Sequence, residues 1–141
     1  MELPTRKALS LEAVREIVAA ARAYGASQGH NASIVVVVDD GAHLLFLERE
    51  DGIPHGTVEV ATLKAQISAR FGVPSKNFRD AVDEGLVGLV GLPGMAAFEG
   101  AIPLLLDGQC LGAIAVSGID EAMDGAMSQA GADRLVELAG G

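Results

Sequence analysis

Two apolar runs, each doubled back on an Asp-Gly dipeptide, limit what this chain can fold into more than any other feature. Ser33-Ile-Val-Val-Val-Val38 runs into Asp39-Asp40-Gly41 and continues as Ala42-His43-Leu-Leu-Phe-Leu47. Ala101 to Leu106 runs into Asp107-Gly108 and continues from Cys110 to Val116. β-Branched and aliphatic residues favour extended backbone, and Asp-Gly supplies the tight turn that brings a second strand back beside the first. Each run therefore reads as a β-hairpin.

Helical periodicity fills the rest. Leu11, Val14, Ile17, Val18 and Ala21 recur at spacings of three and four after Ser10, a side chain suited to cap a helix. Val60, Leu63, Ile67 and Phe71 mark a second amphipathic helix closed by Gly72, and Ser75 to Glu84 a third, shorter one after Pro74. Gly85, Gly88, Gly91 and Gly94 then punctuate an apolar connection in which the backbone is expected to pass close to a neighbour. Ser117-Gly118-Ile119-Asp120 has the spacing of a capping box and opens a last helix bearing Ala122, Met123, Ala126, Ala130 and Leu135. The order is αββααββα, with room for one more strand near Met95 to Phe98. Hairpins separated by a helical pair predict an antiparallel sheet with helices packed on it, an α+β fold and not a parallel Rossmann sheet.

The 141 residues, half of them apolar and only 21% charged, suit one domain, 1–141, with a sizeable aliphatic core. Residues 1–79 hold nine charges of each sign, whereas residues 80–141 hold ten acids against the single Arg134. That imbalance repels phosphate backbones and anionic headgroups, so neither nucleic acid nor a membrane surface is an expected partner. Only 4% of residues are aromatic, which further weakens any reading based on stacked bases. The lone Cys110 permits neither an intrachain disulfide nor a cysteine zinc cage and suits a reducing compartment. MELPTRKALS lacks the apolar centre of a signal peptide, and the aliphatic run Ile34 to Val38 is too short to span a bilayer, so the expected location is the cytoplasm.

The common catalytic motifs are missing: there is no Gly-Lys for a P-loop, no Gly-x-Ser-x-Gly, no Cys-x-x-Cys and no His-Glu-x-x-His. What remains is a set of polar side chains in apolar settings. Lys64 lies four residues after Val60 and three before Ile67, on the helical stripe expected to be buried. It reads either as an anchor for an anionic ligand or as a stem snorkelling at the edge of the stripe. Glu99, between Phe98 and Gly100 and just ahead of an apolar strand, is a candidate general acid or base, or a solvent-facing residue. His55, at the start of the second helix, is the best placed of three histidines for proton transfer or iron ligation, against a plain loop position. His43 and His30 read as surface residues. Met95 reads as core filling, as a pocket-lining thioether or as a haem-iron ligand, and Cys110 as a small buried hydrophobe.

The pieces VVVVDDGAHLLFLEREDGIP, LKAQISARFGVPS and LVGLPGMAAFEGAIPLLLDGQCLGAIAVSG, in that order, resemble the GlcG-like family, also called haem-degrading or HbpS-like, which includes the C-terminal domain of PduO-type corrinoid adenosyltransferases. The resemblance implies a profilin- or PAS-like α+β domain that forms dimers or larger homo-oligomers and binds a small-molecule ligand, haem in some members. It implies that Asp51-Gly52, Lys64, Phe71-Gly72, Gly100-x-x-Pro103 and Asp107-Gly108 trace the pocket side. His55, Lys64, Phe71, Met95 and Phe98 are then the candidate ligand or cofactor contacts. Iron ligation is not one fixed motif across the family, so no metal site and no ligand position carries over; from its own position His55 is the best candidate if haem iron is bound. Two positions depart from the pattern: members commonly carry Gly-Gly where this chain has Glu99-Gly100, and His55 is not expected after the Asp-Gly loop.

Two function classes follow. One is a haem-handling or other small-ligand-binding protein, with haem as its cofactor. The other is a cofactor-independent acid/base enzyme, an isomerase, lyase or cyclase on a small carbonyl or carboxylate compound, with Lys64 holding the anion, Glu99 moving the proton and His55 assisting.

Overall fold

The computed structural model describes residues 1–118 and 120–140. Its elements run α1 (Leu11–Ser27), β1 (Ile34–Asp39), β2 (Leu44–Arg49), α2 (Thr57–Phe71), α3 (Lys76–Asp83), a 3₁₀ turn (Val87–Gly91), β3 (Ala101–Leu106), β4 (Gln109–Ser117) and α4 (Glu121–Gly140). The four strands form one antiparallel sheet in the order β2-β1-β4-β3. Met95–Phe98, where a further strand had room, joins no ladder.

The valine run of β1 follows from its position. It lies between β2 and β4, and its residues are buried on both faces of the sheet. Val35 and Val37 pack with Ile114 and Val116 against Val14, Ile17 and Val18 of α1 and Met127 and Leu135 of α4. Ile34, Val36 and Val38 face α2 instead. A strand buried on both sides reads as a continuous apolar run and not as alternation. The result is three layers, with α1 and α4 on one face of the sheet and α2 on the other.

Both hairpins form, by different turns. Asp107 and Gly108 both carry positive φ, 50° and 77°, the paired left-handed geometry that matches strand twist in a two-residue turn. The first turn is longer than the sequence suggests. β2 starts only at Leu44, and the left-handed residue is Ala42 (φ 63°), while Asp39 Oδ1 accepts from the amides of Gly41 and His43, both at 2.9 Å. His43 thus belongs to the turn.

The helix faces need correction. Ser10 caps α1 as expected, its Oγ accepting from Ala13 N at 3.1 Å. In α2, however, the residues against the sheet are Ala61, Ala65 and Ala69, opposite Ala113 and Ala115 of β4, with Lys64, Ile67 and Ser68 also buried. Val60 is exposed, as is Phe71 at 56%; its ring meets Phe78 edge-on with centroids 5.4 Å apart. Small residues on both sides let α2 lie close to the sheet, while Val60 and Phe71 stay outside. α4 is rotated in the same sense, burying Asp124, Gly125, Met127, Ser128, Gly131, Ala132 and Leu135. The glycines at 85, 88 and 91 face open space and not a close neighbour.

Candidate functional site

One polar cluster sits inside these layers, and Lys64 is its centre. The alanine face of α2 carries Lys64 inward until only 2% of it is exposed. Its Nζ donates to the carbonyl of Val116 at 2.8 Å and to that of Glu99 at 3.1 Å. It also lies 3.8 Å from Asp124 Oδ2, an ion pair between two buried side chains. Burial pulls its pKa below the ordinary 10.5, opposed by the charges of Asp124, Glu121 and Glu99.

Gly100 makes this reach possible. Its φ is +141°, and a β-carbon there would lie 2.2 Å from Lys64 Nζ and 2.8 Å from Val116 O. Only a glycine leaves room for the ammonium between the two strands. The backbone beside it is pinned from three sides: Ser128 Oγ donates to Gly100 O at 2.6 Å, Ser75 Oγ accepts from Ala101 N at 3.0 Å, and Lys64 holds Glu99 O.

Next to this knot opens a cleft of about 360 Å³, walled by Pro54, Thr57 and Val60 on one side and by Ser117, Asp120, Glu121 and Asp124 on the other, with Lys64 and Phe98 between. Asp120 is the true cap of α4, its Oδ1 accepting from Met123 N at 2.7 Å. Ser117, cast as the cap by sequence spacing, is instead the last residue of β4. It is 3% exposed, and its Oγ has no hydrogen-bond partner. An orphaned buried hydroxyl carries a desolvation cost of roughly 1–3 kcal/mol. Its place on a cleft wall gives an incoming ligand a group to satisfy.

Of the residues expected at the site, Lys64 and Phe98 line the cleft, whereas His55, Phe71, Met95 and Glu99 do not. Lys64 and Glu99 are brought together, but through the Glu99 carbonyl. The Glu99 carboxylate lies against α4, where a β-carbon on Gly125 would stand 2.8 Å from Oε2. His55 is exposed on the loop between two lining residues, Pro54 and Thr57. Ser117, Asp124, Glu121, Asp120 and Thr57 were missed. The available signal for Asp124 was an acid four residues before Ser128 in a helix whose buried face is otherwise Gly, Ala, Met and Leu.

The cleft does not suit haem. Haem iron is held by His, Cys, Met or Tyr, and none of these lines it. Three carboxylates on one wall would also face the anionic propionates. Among the described residues, no group of three His, Cys, Asp or Glu side chains is disposed to hold a metal ion. No helix among them is long and apolar enough to cross a membrane.

Comparison with known proteins agrees with this architecture. The family model "Haem degrading protein HbpS-like" matches residues 9–133. Protein GlcG of Escherichia coli strain K12 is 32% identical over 115 residues, covering 82% of this chain and 85% of GlcG. The crystal structure of HbpS superposes with a TM-score of 0.83 at 26% identity, covering 94% of this chain and 93% of HbpS. A PduOC:Heme complex superposes with a TM-score of 0.79 at 20% identity, covering 91% and 95% of the two chains, and shares the fold.

Proposed function

This chain belongs to the HbpS-like family, and from that premise we propose that it is a small-ligand-binding protein whose site is the cleft between α2 and the start of α4. The observation that carries the reading is Ser117. A buried hydroxyl without a partner, on the wall of a cleft and beside buried charge, is a binding group awaiting its ligand. Binding is favoured over turnover because the Lys64 ammonium is already engaged by two carbonyls and Asp124, and His55 is exposed.

A fragment screen read by backbone amide shifts tests this. Binders are expected to shift Thr57, Ser117, Gly118 and Asp124, and to lose those shifts in Ser117→Leu, which fills the cleft. A screen whose binders all fall elsewhere, or are indifferent to Ser117→Leu, overturns the reading.

A second reading, haem handling, has support from the family description and from the heme-bound PduOC relative. We place such a haem outside the cleft, on exposed surface bearing His55 just before α2. A haem titration followed by visible absorbance is expected to give a Soret shift that is lost in His55→Ala and kept in Ser117→Leu. The reverse pattern would put haem in the cleft and refute the ligand argument above. No shift at stoichiometric haem would remove haem altogether.

Self-association also belongs to this proposal. Leu86, Val87, Val90 and Leu92 expose a contiguous apolar segment along the 3₁₀ turn, a surface suited to a second copy of the chain. Size-exclusion chromatography is expected to give at least a dimer, and Val87→Glu with Val90→Glu a monomer. The cytoplasm, where Cys110 stays reduced, is the setting we assign.

A further inference from the structure

The charge around the cleft is unbalanced, and the imbalance bears on the chemistry of the ligand; this step rests on the cleft-binding reading above. Asp120, Glu121 and Asp124 line the α4 wall, and Glu99 lies behind it against Gly125. Facing these four carboxylates are Lys64, buried at the cleft floor, Arg79, which reaches Glu121 at 3.0 Å while its Nε is held by Asp83 at 3.1 Å, and Lys76, whose charge acts on Glu99 while its Nζ is held by Asp80 at 2.7 Å. Three cations, two of them shared with outside acids, leave the site net negative.

The helix terminus does not reverse this. The start of a helix draws anions through its free amides, but here Met123 N is taken by the Asp120 side chain and Asp124 N by the Asp120 carbonyl at 2.8 Å. An anionic ligand would therefore meet three carboxylates on this wall, with the Met123 amide already taken. A metal ion is not the answer either, because the carboxylates are not grouped for coordination. The orphaned Ser117 Oγ is an independent demand for a hydrogen-bonding group at the same wall. Opposite it stand apolar surfaces, Pro54, Val60 and the ring of Phe98.

We propose that the cleft takes a small organic cation, a primary ammonium on an apolar body. The ammonium donates to Ser117 Oγ and pairs with Glu121 and Asp124. The body packs on Pro54, Val60 and Phe98, and the Phe98 ring adds a cation–π attraction for the positive end.

Titration of the full ¹⁵N-labelled chain with three probes of one shape tests this: benzylamine as the cation, benzyl alcohol as the neutral analogue and benzoate as the anion. Benzylamine is expected to shift the amides of Thr57, Ser117, Gly118 and Glu121 saturably and at least about ten-fold more tightly than benzyl alcohol, since hydrogen bonds to charged groups are the stronger class. Benzoate is expected to leave them unmoved. Ser117→Ala and Glu121→Gln, each checked for an unchanged fold by its amide spectrum, are each expected to weaken benzylamine by about ten-fold.

Benzoate or benzyl alcohol binding there as tightly as benzylamine overturns the cation assignment and leaves the cleft reading standing. So does a failure of all three probes while the fragment screen still finds cleft binders. Failure of the probes and of the screen together removes both.

Discussion

Replacing Lys64 with methionine is expected to cost the fold about 3–5 kcal/mol, although the two side chains are similar in length and the site is buried. The loss is electrostatic. Methionine leaves Asp124 as a buried carboxylate without its cation and strips the carbonyls of Glu99 and Val116 of a donor, the circumstance in which breaking a buried pair is most damaging. Urea denaturation measures it, and the double variant with Asp124→Asn should recover part of the loss. A cost below about 1 kcal/mol would mean that the pair is not sealed from water.

The same lysine sets a pH dependence. Burial lowers its pKa from the ordinary 10.5. Over the interval between that lowered value and 10.5, the folded chain binds fewer protons than the unfolded one. Stability contributed through this group therefore rises as pH climbs toward 10.5. The gap between the wild type and Lys64→Met is expected to widen from pH 7 to pH 10 in parallel urea titrations. A constant gap would mean that the ammonium is as well solvated in the fold as outside it.

The second large effect lies in the sheet. Gly112→Ala is expected to destabilise by about 4 kcal/mol, near the top of the range for single substitutions. A β-carbon at that residue would stand 2.0 Å from Val38 O and 3.1 Å from Asp39 Cα, with φ at +149°. Both obstacles are backbone in the central pair of strands, so neither can swing aside. Gly88→Ala, where nothing lies within 4 Å, is the control and should stay within about 0.5 kcal/mol. Equal melting of the two variants would contradict the β1 to β4 register.

The strands were legible because their signals are local. A valine run can satisfy burial on both faces only as a central strand, and Asp-Gly marks the reversal within two residues. The faces of α2 and α4 were not legible for the opposite reason. Alanine and glycine carry little hydropathy, so the periodicity followed Val60, Leu63 and Phe71 outward, while the small residues that allow close approach to the sheet went unweighted. Lys64 stood out as a charge on an apolar helix. Its partner could not be named, because Asp124 lies sixty residues on and only tertiary packing joins them. Ser117 was assigned to the wrong task because Ser-x-x-Asp fits a capping box, whereas Asp120 does the capping itself and leaves the hydroxyl orphaned.

The two hairpins are joined along a single seam, β1 against β4, where every paired residue lies between 73 and 83 positions from its partner. Hairpins close in microseconds, but a pairing this distant must overcome a long loop closure and comes late in folding. Val116 and Ser117, which hold Lys64 and wall the cleft, sit at the end of that seam, with Ser117 opposite Ile34. A chain with both hairpins formed and the seam open has no cleft at all. A ligand can therefore act only after the last pairing, so it should slow the opening of the finished protein and leave the rate of reaching it unchanged.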